Sequence, residues 1–197
     1  MDKSELRTRI RQSRRLLRAQ ADVGPWRQRG SVIAKGVLAV PEVWTACNHG
    51  SAIASYVSFG GEPPTEKLNE ALAAAGARVL LPATARDGRT FDDLAWADLE
   101  QGVDRDSSAL IPTPAGPLVG RGSAGLLDLG CAVIIIPALG VGLDGSRLGQ
   151  GGGYYDRMLS TLPHPGPLRL ALVGPGEVFD TVPHDPHDQP IDRYLEF

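Results

Sequence analysis

Cys131-Ala-Val-Ile-Ile-Ile136 is the stretch that decides how the chain is interpreted. A loop and then the run Tyr154-Tyr-Asp-Arg-Met-Leu-Ser-Thr-Leu162 follow it. The first run is short, apolar and β-branched and is closed by a proline, which is typical of a buried strand. The second run has apolar residues at helical spacing. The glycine-rich loop between them therefore lies at the carboxyl end of a strand and the amino end of a helix, where backbone N–H groups and the helix dipole favour an anion.

The loop itself indicates phosphate binding, because glycine has no Cβ and lets a phosphate approach several backbone N–H groups at once. Arg147 could add a forked donor, and the Asp156 carboxylate could hold a hydrated Mg²⁺. The pattern is neither a Walker A loop nor G-x-G-x-x-G, so a mobile surface loop remains the alternative interpretation. The glycines that could form the anion nest are Gly149, Gly151, Gly152 and Gly153.

Two sequence segments of this region resemble the signature of the 5-formyltetrahydrofolate cyclo-ligases, also called 5,10-methenyltetrahydrofolate synthetases. They are Pro137-Ala-Leu-Gly140 and Gly145-Ser-Arg-Leu-Gly-Gln-Gly-Gly-Gly-Tyr-Tyr-Asp-Arg157. A weaker resemblance, in the order and spacing of elements, extends from Lys3 to Asp192. The resemblance implies cyclisation of 5-formyltetrahydrofolate to 5,10-methenyltetrahydrofolate, with ATP as co-substrate, Mg²⁺ as cofactor, and ADP and phosphate as products. The alternative is a non-catalytic or repurposed relative that binds a folate or a phosphorylated ligand.

The resemblance also implies a set of site residues, with Arg147 and Tyr154 as the catalytic pair and Asp156 and Asp188 as the Mg²⁺ ligands. The ATP-binding set is Lys3, Ser4, Glu5, Leu6, Arg7, Arg147, Leu148, Gly149, Gln150, Gly151, Gly152, Gly153, Tyr154 and Tyr155. The folate-binding set is Val57, Glu62, Gln150, Gly151, Gly152, Gly153 and Tyr154. The sequence leaves open which of Tyr154 and Tyr155 faces the substrate.

The amino-terminal region, from Asp2 to about Ala21, is predicted to form an amphipathic helix crowded with arginine. Three interpretations are open for its basic residues: a solvated face, an arm that contacts nucleic acid, or an ATP site. The third follows from the resemblance, in which Lys3 and Arg7 match a Lys-x-x-x-Arg pair. Their i, i+4 spacing places both cations on one face of a helix, where they can meet one polyphosphate.

Strands alternate with helices along the chain, which predicts a three-layer α/β fold with a largely parallel sheet. The resemblance narrows this to the cyclo-ligase fold, related in architecture to the ribose-phosphate isomerase and CoA-transferase group. The predicted strands include 51–57, 78–82 and 168–173, with an edge strand at 193–197. Predicted helices cover 25–40 and 65–75, a strand or hairpin insertion covers 83–106, an extended turn covers 109–116, and a linker of small residues covers 117–125.

The composition of the 197 residues is that of one globular domain, with 42% hydrophobic and 22% charged residues. A net charge of −3 gives no general attraction to nucleic acid or to an anionic membrane. Two cysteines indicate free thiols in a reducing compartment, and no apolar run approaches the ~20 residues of a bilayer span. We therefore expect a single domain over 1–197 and a cytoplasmic monomer, with no nucleic-acid or membrane partner.

Four positions depart from the pattern of the resembled family. Gly142 stands where relatives commonly carry aspartate, and Asp144 two residues later is a candidate substitute. Gln150 and Gly152 stand where relatives are often basic, so the loop itself offers fewer cations to a phosphate. Thr113 replaces a glutamate that many relatives carry. These departures bear on turnover rate and exact substrate more than on the fold.

Overall fold

A computed structural model of the protein describes residues 1–20, 23–86, 89–99, 102–104 and 113–197. Within these ranges the helices are α1 (Lys3–Gln20), α2 (Val23–Leu38), α3 (Pro41–Asn48), α4 (Glu66–Ala74), α5 (Gly122–Asp128) and α6 (Tyr154–Ser160). The strands are β1 (Ala52–Ala54), β2 (Arg78–Arg86), β3 (Arg89–Asp98), β4 (Val103–Asp104), β5 (Thr113–Pro114), β6 (Leu118–Arg121), β7 (Cys131–Pro137), β8 (Gly140–Gly142), β9 (Arg147–Leu148), β10 (Leu168–Val173), β11 (Val178–Phe179) and β12 (Arg193–Glu196).

The main sheet has seven strands in the order β12-β10-β7-β1-β2-β3-β6. Its first five strands are parallel, and β3 and β6 extend it in antiparallel fashion. The predicted largely parallel sheet is confirmed, and β12 is the edge strand that the sequence predicts. Because β1 and β7 are parallel neighbours, the loops that follow them meet at the same edge of the sheet.

Two hydrophobic cores cover the two faces of this sheet, which confirms the three-layer architecture. Alternate residues of β7 point into opposite cores: Val133 and Ile135 into one, Ile134 and Ile136 into the other. Helices α2, α3 and α4 supply residues to the first core, and α5 and α6 supply residues to the second. Both faces are buried, which explains why β7 is a continuous apolar run rather than an alternating one.

The structure differs from the sequence-based prediction in two segments, one just before β1 and one between β1 and β7. Helix α3, with Pro41 at its first turn, was not predicted. The linker predicted at 117–125 is wrong, because these residues form β6 and the start of α5. Its glycines serve close packing: a Cβ on Gly125 would lie 2.8 Å from the carbonyl carbon of Gly120. The strand or hairpin insertion predicted at 83–106 is confirmed only in part, because β2 continues through Pro82 to Arg86 as one strand and pairs with β3. Residues 105–112, which include much of the predicted turn, lie outside the described residues.

Two smaller findings bear on the sequence-based expectations. The thiols of Cys47 and Cys131 are buried and unpaired, as predicted. None of the described helices combines the length and apolar character that a bilayer span requires.

Candidate active site

Three cavities open around the loop that follows β7. The central cavity, of about 270 Å³, lies between the loops after β1 and β7 and includes Val57, Glu62, Tyr154 and Tyr155 in its wall. The Lys3 cavity, of about 440 Å³, lies on the other side of the glycines and includes Lys3, Arg7, Asp156 and Asp188. The arginine cavity, of about 430 Å³, lies against α1 and includes Arg11, Arg14, Arg15 and Arg18.

The glycine loop is the wall that the central cavity and the Lys3 cavity share. Gly149, Gly151 and Gly153 line both. Gly151 and Gly153 have φ values of 102° and 69°, a backbone conformation that favours glycine. A ligand on either side can therefore contact the same short piece of backbone.

Helix α1 reaches this loop with Arg7 and Arg11, so the solvated-face interpretation does not hold for these two residues, whereas Arg9, Arg15 and Arg18 are exposed. Arg7 donates from Nε to the carbonyl of Gly149 over 2.9 Å, and Arg11 donates from Nη2 to the carbonyl of Gln150 over 2.9 Å. Lys3 donates to Asp185 over 2.6 Å and also to Asp188. Arg7 and Arg11 of α1 thus place cations against the loop at Gly149 and Gln150.

The three residues between Lys3 and Arg7 do not line the Lys3 cavity. Ser4 and Glu5 are exposed, while Leu6 is buried in a small core with Ile10 and Leu148. Only the two ends of the Lys-x-x-x-Arg segment therefore share a face toward the cavity, as helical spacing requires.

Arg147 is buried and paired with Asp156 rather than open to solvent. Its Nη2 donates to Asp156 Oδ1 over 2.7 Å and its Nη1 to the carbonyl of Pro137 over 3.3 Å. Its Nε has no hydrogen-bond partner in the described part of the chain, although the side chain is only 2% exposed. Arg147 lines both the central cavity and the Lys3 cavity.

The predicted metal ligands, Asp156 and Asp188, both line the Lys3 cavity. Asp156 Oδ1 also accepts from the backbone N–H of Gln189 over 3.2 Å, which ties α6 to the Asp188 segment. Burial alone would raise the pKa of Asp188, but hydrogen bonds from Lys3 and the Asp185 N–H hold it below its ordinary value. Asp188 is therefore an anion at neutral pH.

The described residues contain no group of three or more His, Cys, Asp or Glu side chains able to enclose a metal ion. Two carboxylates fit Mg²⁺ all the same, because this ion usually takes one or two carboxylates together with phosphate oxygens and water. The hydrogen bonds described above use one oxygen of Asp156 and one of Asp188, and each carboxylate has a second oxygen for a cation.

Glu62 is buried at the edge of the central cavity, with 3% of its surface exposed. Its Oε1 accepts from Gln150 Nε2 over 3.0 Å and its Oε2 from the N–H of Phe59 over 3.2 Å. Burial raises the pKa of Glu62, and these two hydrogen bonds offset part of the rise. The carboxyl is thus held in one orientation toward the cavity.

Both tyrosines after the glycines, Tyr154 and Tyr155, line the central cavity, and neither lines the Lys3 cavity. The guanidinium of Arg157 lies over the Tyr154 ring at 4.8 Å, and that of Arg147 lies 6.0 Å from the Tyr155 ring. Both residues therefore line the central cavity, and which of them contacts a substrate stays a prediction. Val57, half-buried, lies in the same wall.

Sequence reasoning missed the arginine cavity. Arg14 donates to Glu177 over 2.7 and 2.6 Å and to the carbonyl of Ala138 over 2.7 Å, which fixes α1 to the sheet. The cavity meets the central cavity at Phe59, Glu62 and Gln150. The spacing of arginines along one face of α1 is the sequence pattern that could have indicated this cavity. These are Arg11, Arg14, Arg15 and Arg18.

The glycine at position 142 has a local structural reason. A Cβ there would collide with Asp144 Oδ1 and Ser146 Oγ and lie 3.0 Å from the Cα of Thr181. Asp144 accepts from Ser146 N over 2.9 Å and from Ser146 Oγ over 2.5 Å, and these hydrogen bonds lower the pKa of Asp144 to about 2. Asp144 therefore closes the turn between β8 and β9.

A three-layer α/β domain with two cavities along one glycine-rich loop, beyond the carboxyl ends of parallel strands, has the arrangement in which α/β proteins bind ligands. Residues 1–196 match the model of the 5-formyltetrahydrofolate cyclo-ligase family, and the chain belongs to that family. It is 32% identical over 196 residues to the 5-formyltetrahydrofolate cyclo-ligase of Mycolicibacterium smegmatis, covering 98% of this chain and 92% of that one.

Two solved structures share the fold. The 5,10-methenyltetrahydrofolate synthetase of Aquifex aeolicus superposes with a TM-score of 0.74 at 22% identity, covering 100% of this chain and 90% of that one. The enzyme of the same name from Mycoplasma pneumoniae superposes with a TM-score of 0.68 at 21% identity, covering 99% and 98%. The fold predicted from the resemblance is thereby confirmed.

Proposed function

We propose that this protein converts 5-formyltetrahydrofolate to 5,10-methenyltetrahydrofolate, with ATP converted to ADP and phosphate. The observation that carries the proposal is the shared wall: the central cavity and the Lys3 cavity both contact Gly149, Gly151 and Gly153. Two ligands bound in these cavities would have their reacting groups on the two sides of one loop. Family membership supports the reaction class.

The obstacle in this reaction is the formamide oxygen, which is a poor leaving group. Transfer of the γ-phosphoryl group of ATP to that oxygen makes an imidate phosphate and releases ADP. N10 of the folate then attacks the activated carbon, the five-membered ring closes, and phosphate leaves. The demands on the protein are alignment and neutralisation of charge on the transferred group. Neither demand requires a nucleophilic side chain.

On the nucleotide side, we assign the triphosphate to the Lys3 cavity. Lys3 and Arg7 would face it from α1, and the backbone N–H groups of the glycines would face it from the loop. Asp156 and Asp188 would hold Mg²⁺, which lowers the charge of the phosphates when bound. Arg147, paired with Asp156, would fix the orientation of that carboxylate and lie beside the transferred phosphoryl group.

On the folate side, we assign the ring system to the central cavity. Its wall is apolar apart from a few placed polar groups, which suits a flat heterocycle. Glu62 would accept from ring N–H groups, and Val57 and Tyr154 would pack on the ring. The arginine cavity continues from Phe59 and Gln150 and suits the carboxylates of the glutamyl end.

We further infer that residues 1–197 act as one domain, as a cytoplasmic monomer without a nucleic-acid or membrane partner. The single main sheet, covered on both faces, supports the domain assignment. Light scattering of the purified protein tests the monomer, which should give a mass near the 20.9 kDa of one chain.

Absorbance in the near ultraviolet tests the reaction, because methenyl-folate absorbs there. Purified protein with 5-formyltetrahydrofolate, Mg²⁺ and ATP should give a rising signal with one ADP released per folate converted. Reactions that lack ATP or Mg²⁺ serve as controls. Binding of 5-formyltetrahydrofolate without any ATP-dependent rise would support the non-catalytic alternative instead.

A further inference from the structure

The two carboxylate oxygens of Glu62 are held by different parts of the chain. Oε2 accepts from the N–H of Phe59 over 3.2 Å, and the N–H of Glu62 donates to the carbonyl of Phe59 over 3.2 Å, so one turn fixes this side of the carboxyl. Oε1 accepts from Gln150 Nε2 over 3.0 Å, which belongs to a distant loop. The orientation of Oε1 therefore depends on how Gln150 is held.

Gln150 lies in a part of the loop where the local backbone constraints are weak. Gly149 precedes it and Gly151 follows it, and glycine has the widest range of backbone conformations. Its side chain is half-buried at the border where the central cavity and the arginine cavity meet. A side chain in this position keeps one orientation only if contacts from elsewhere fix it, because ordering it costs conformational entropy.

Arg11 of α1 supplies those contacts. Its Nη2 donates to the backbone carbonyl of Gln150 over 2.9 Å and to the side-chain Oε1 over 3.0 Å, and its Nε donates to the same Oε1 over 3.3 Å. The guanidinium thus holds both the backbone and the side chain of Gln150. Because a guanidinium only donates, the amide oxygen faces Arg11 and the amide nitrogen is left to donate to Glu62.

The neighbouring Arg14 is engaged elsewhere. It is buried and donates to Glu177 and to the carbonyl of Ala138, and within the described residues it makes no hydrogen bond to Gln150 or Glu62. Burial raises the pKa of Glu62, and the charge of Arg14 acts against that rise without a direct contact. The hydrogen-bonded path from α1 to Glu62 therefore passes through Arg11 and Gln150.

We propose that Arg11 is a positioning residue for the substrate ring, which acts through the Gln150 amide to hold the Glu62 carboxyl in its orientation toward the ring. Arg11 lines the arginine cavity and not the central cavity, whereas Gln150 and Glu62 line both. The inference rests on the proposed function, which assigns the ring of 5-formyltetrahydrofolate to the central cavity. It adds a residue that neither predicted ligand set contains, and it assigns Arg11 to the ring rather than to the glutamyl end.

A double-mutant cycle tests the path, because residues that act through one another have non-additive effects. Arg11→Met removes the donors and keeps the aliphatic stem, and Gln150→Met removes the amide. In titration calorimetry without ATP, Arg11→Met should bind 5-formyltetrahydrofolate about three- to tenfold more weakly, the scale of one hydrogen bond. The double variant should bind it no more weakly than Gln150→Met alone. Fold-changes that multiply in the double variant would overturn the inference, as would wild-type affinity in Arg11→Met.

A truncated ligand separates the ring from the glutamyl end. The amide of 5-formyltetrahydropteroic acid has the same ring system and aryl amide but no glutamyl carboxylates. Arg11→Met should weaken the binding of this amide by the same factor as that of 5-formyltetrahydrofolate. Loss of the effect with the truncated ligand would overturn the inference, because Arg11 would then act on the glutamyl carboxylates directly.

Arg9→Met is the matched control, since Arg9 is exposed on the same helix and lies outside the three cavities. It removes the same charge and should bind the folate as wild type does; an equal loss of affinity in Arg9→Met would overturn the inference in favour of the net charge of α1. Arg11→Met should keep the wild-type thermal midpoint and bind an ATP analogue within about twofold of wild type.

A lower thermal midpoint in Arg11→Met, with weaker binding of both ligands, would mark a structural role and overturn the inference. Failure of wild type to bind 5-formyltetrahydrofolate at all would instead refute the proposed function, and the inference would fall with it.

Discussion

Gln150 Nε2 lies 3.0 Å from Glu62 Oε1, although the two residues are 88 positions apart in the chain. Glu62 belongs to the loop after β1 and Gln150 to the 149–153 loop after β9. Strand β9 lies in the segment that follows β7, and β1 and β7 are adjacent and parallel. The sheet topology thus brings the predicted folate side and the predicted ATP side together. The hydrogen bond fixes the distance between two loops that have no regular structure of their own.

The nucleotide side is tested by Arg7→Gln, which keeps a donor near the Gly149 carbonyl but removes the charge. A charged hydrogen bond contributes about 1.5–3 kcal/mol, so the KM for ATP should rise at least about tenfold. The KM for 5-formyltetrahydrofolate should change little in steady-state kinetics.

Arg9→Gln is the control for that variant, because Arg9 lies on the same helix, exposed, over the Phe179 ring at 5.8 Å. It removes the same charge outside the three cavities. A similar rise in the KM for ATP in both variants would mean that the net charge of α1, and not the position of Arg7, is what matters.

The assignment of the arginine cavity to the glutamyl end of the folate is tested by Arg15→Gln. Arg15 is exposed in the wall of the arginine cavity and has no hydrogen bond within the described residues. Removing one partly solvated cation should raise the KM for 5-formyltetrahydrofolate by about two- to fivefold, because such ion pairs contribute up to about 1 kcal/mol. The effect should shrink at high salt. An increase confined to the KM for ATP would reverse the assignment of the two sides.

Glu62→Gln tests the burial of the Glu62 carboxyl through its effect on the free energy of unfolding. The pKa of Glu62 is raised in the folded state above its ordinary value of 4.5, so the folded protein holds this proton more tightly than the unfolded chain does. The wild-type free energy of unfolding should therefore fall, relative to the variant, as pH rises from below 4.5 through the folded-state pKa. Thermal midpoints of both proteins across this pH range measure the difference.

Other carboxyls titrate in the same range, but they are common to both proteins and cancel in the comparison. A difference that is constant with pH would mean that Glu62 has an ordinary pKa. The same variant should bind 5-formyltetrahydrofolate more weakly in calorimetry, whereas its affinity for an ATP analogue should be unchanged.

Arg147→Ala should cost stability as well as turnover. It leaves a space in a buried site and removes a partner from Asp156, for which about 2–4 kcal/mol is expected in the free energy of unfolding. Arg147→Lys, which keeps the charge, should recover part of this in urea denaturation. If Arg147→Ala loses turnover but keeps the wild-type free energy of unfolding, the result would favour the sequence-based prediction that Arg147 acts on phosphate directly.

The sequence predicts the layers of the fold because β7 and β10 are continuous apolar runs and the helices between strands are amphipathic. It does not predict β6 and α5, since the small residues of 117–125 suggest a linker. Their meaning depends on a contact between Gly120 and Gly125 that only the packed structure contains.

The candidate site likewise has residues that the sequence predicts and contacts that only the structure shows. Lys3, Arg7 and the glycines are recognisable because they lie in short motifs, and the structure gathers them around one cavity. The pairing of Arg147 with Asp156 and the arginine cavity depend on how α1 and α6 pack on the sheet, which no local pattern reveals.

A crystal structure of the protein with ADP and 5-formyltetrahydrofolate would show which cavity each ligand occupies. We expect nucleotide phosphates in the Lys3 cavity, against Lys3, Arg7 and the glycines, and the folate ring in the central cavity against Glu62. Phosphates found in the central cavity, or a nucleotide bound away from the 149–153 loop, would contradict this assignment.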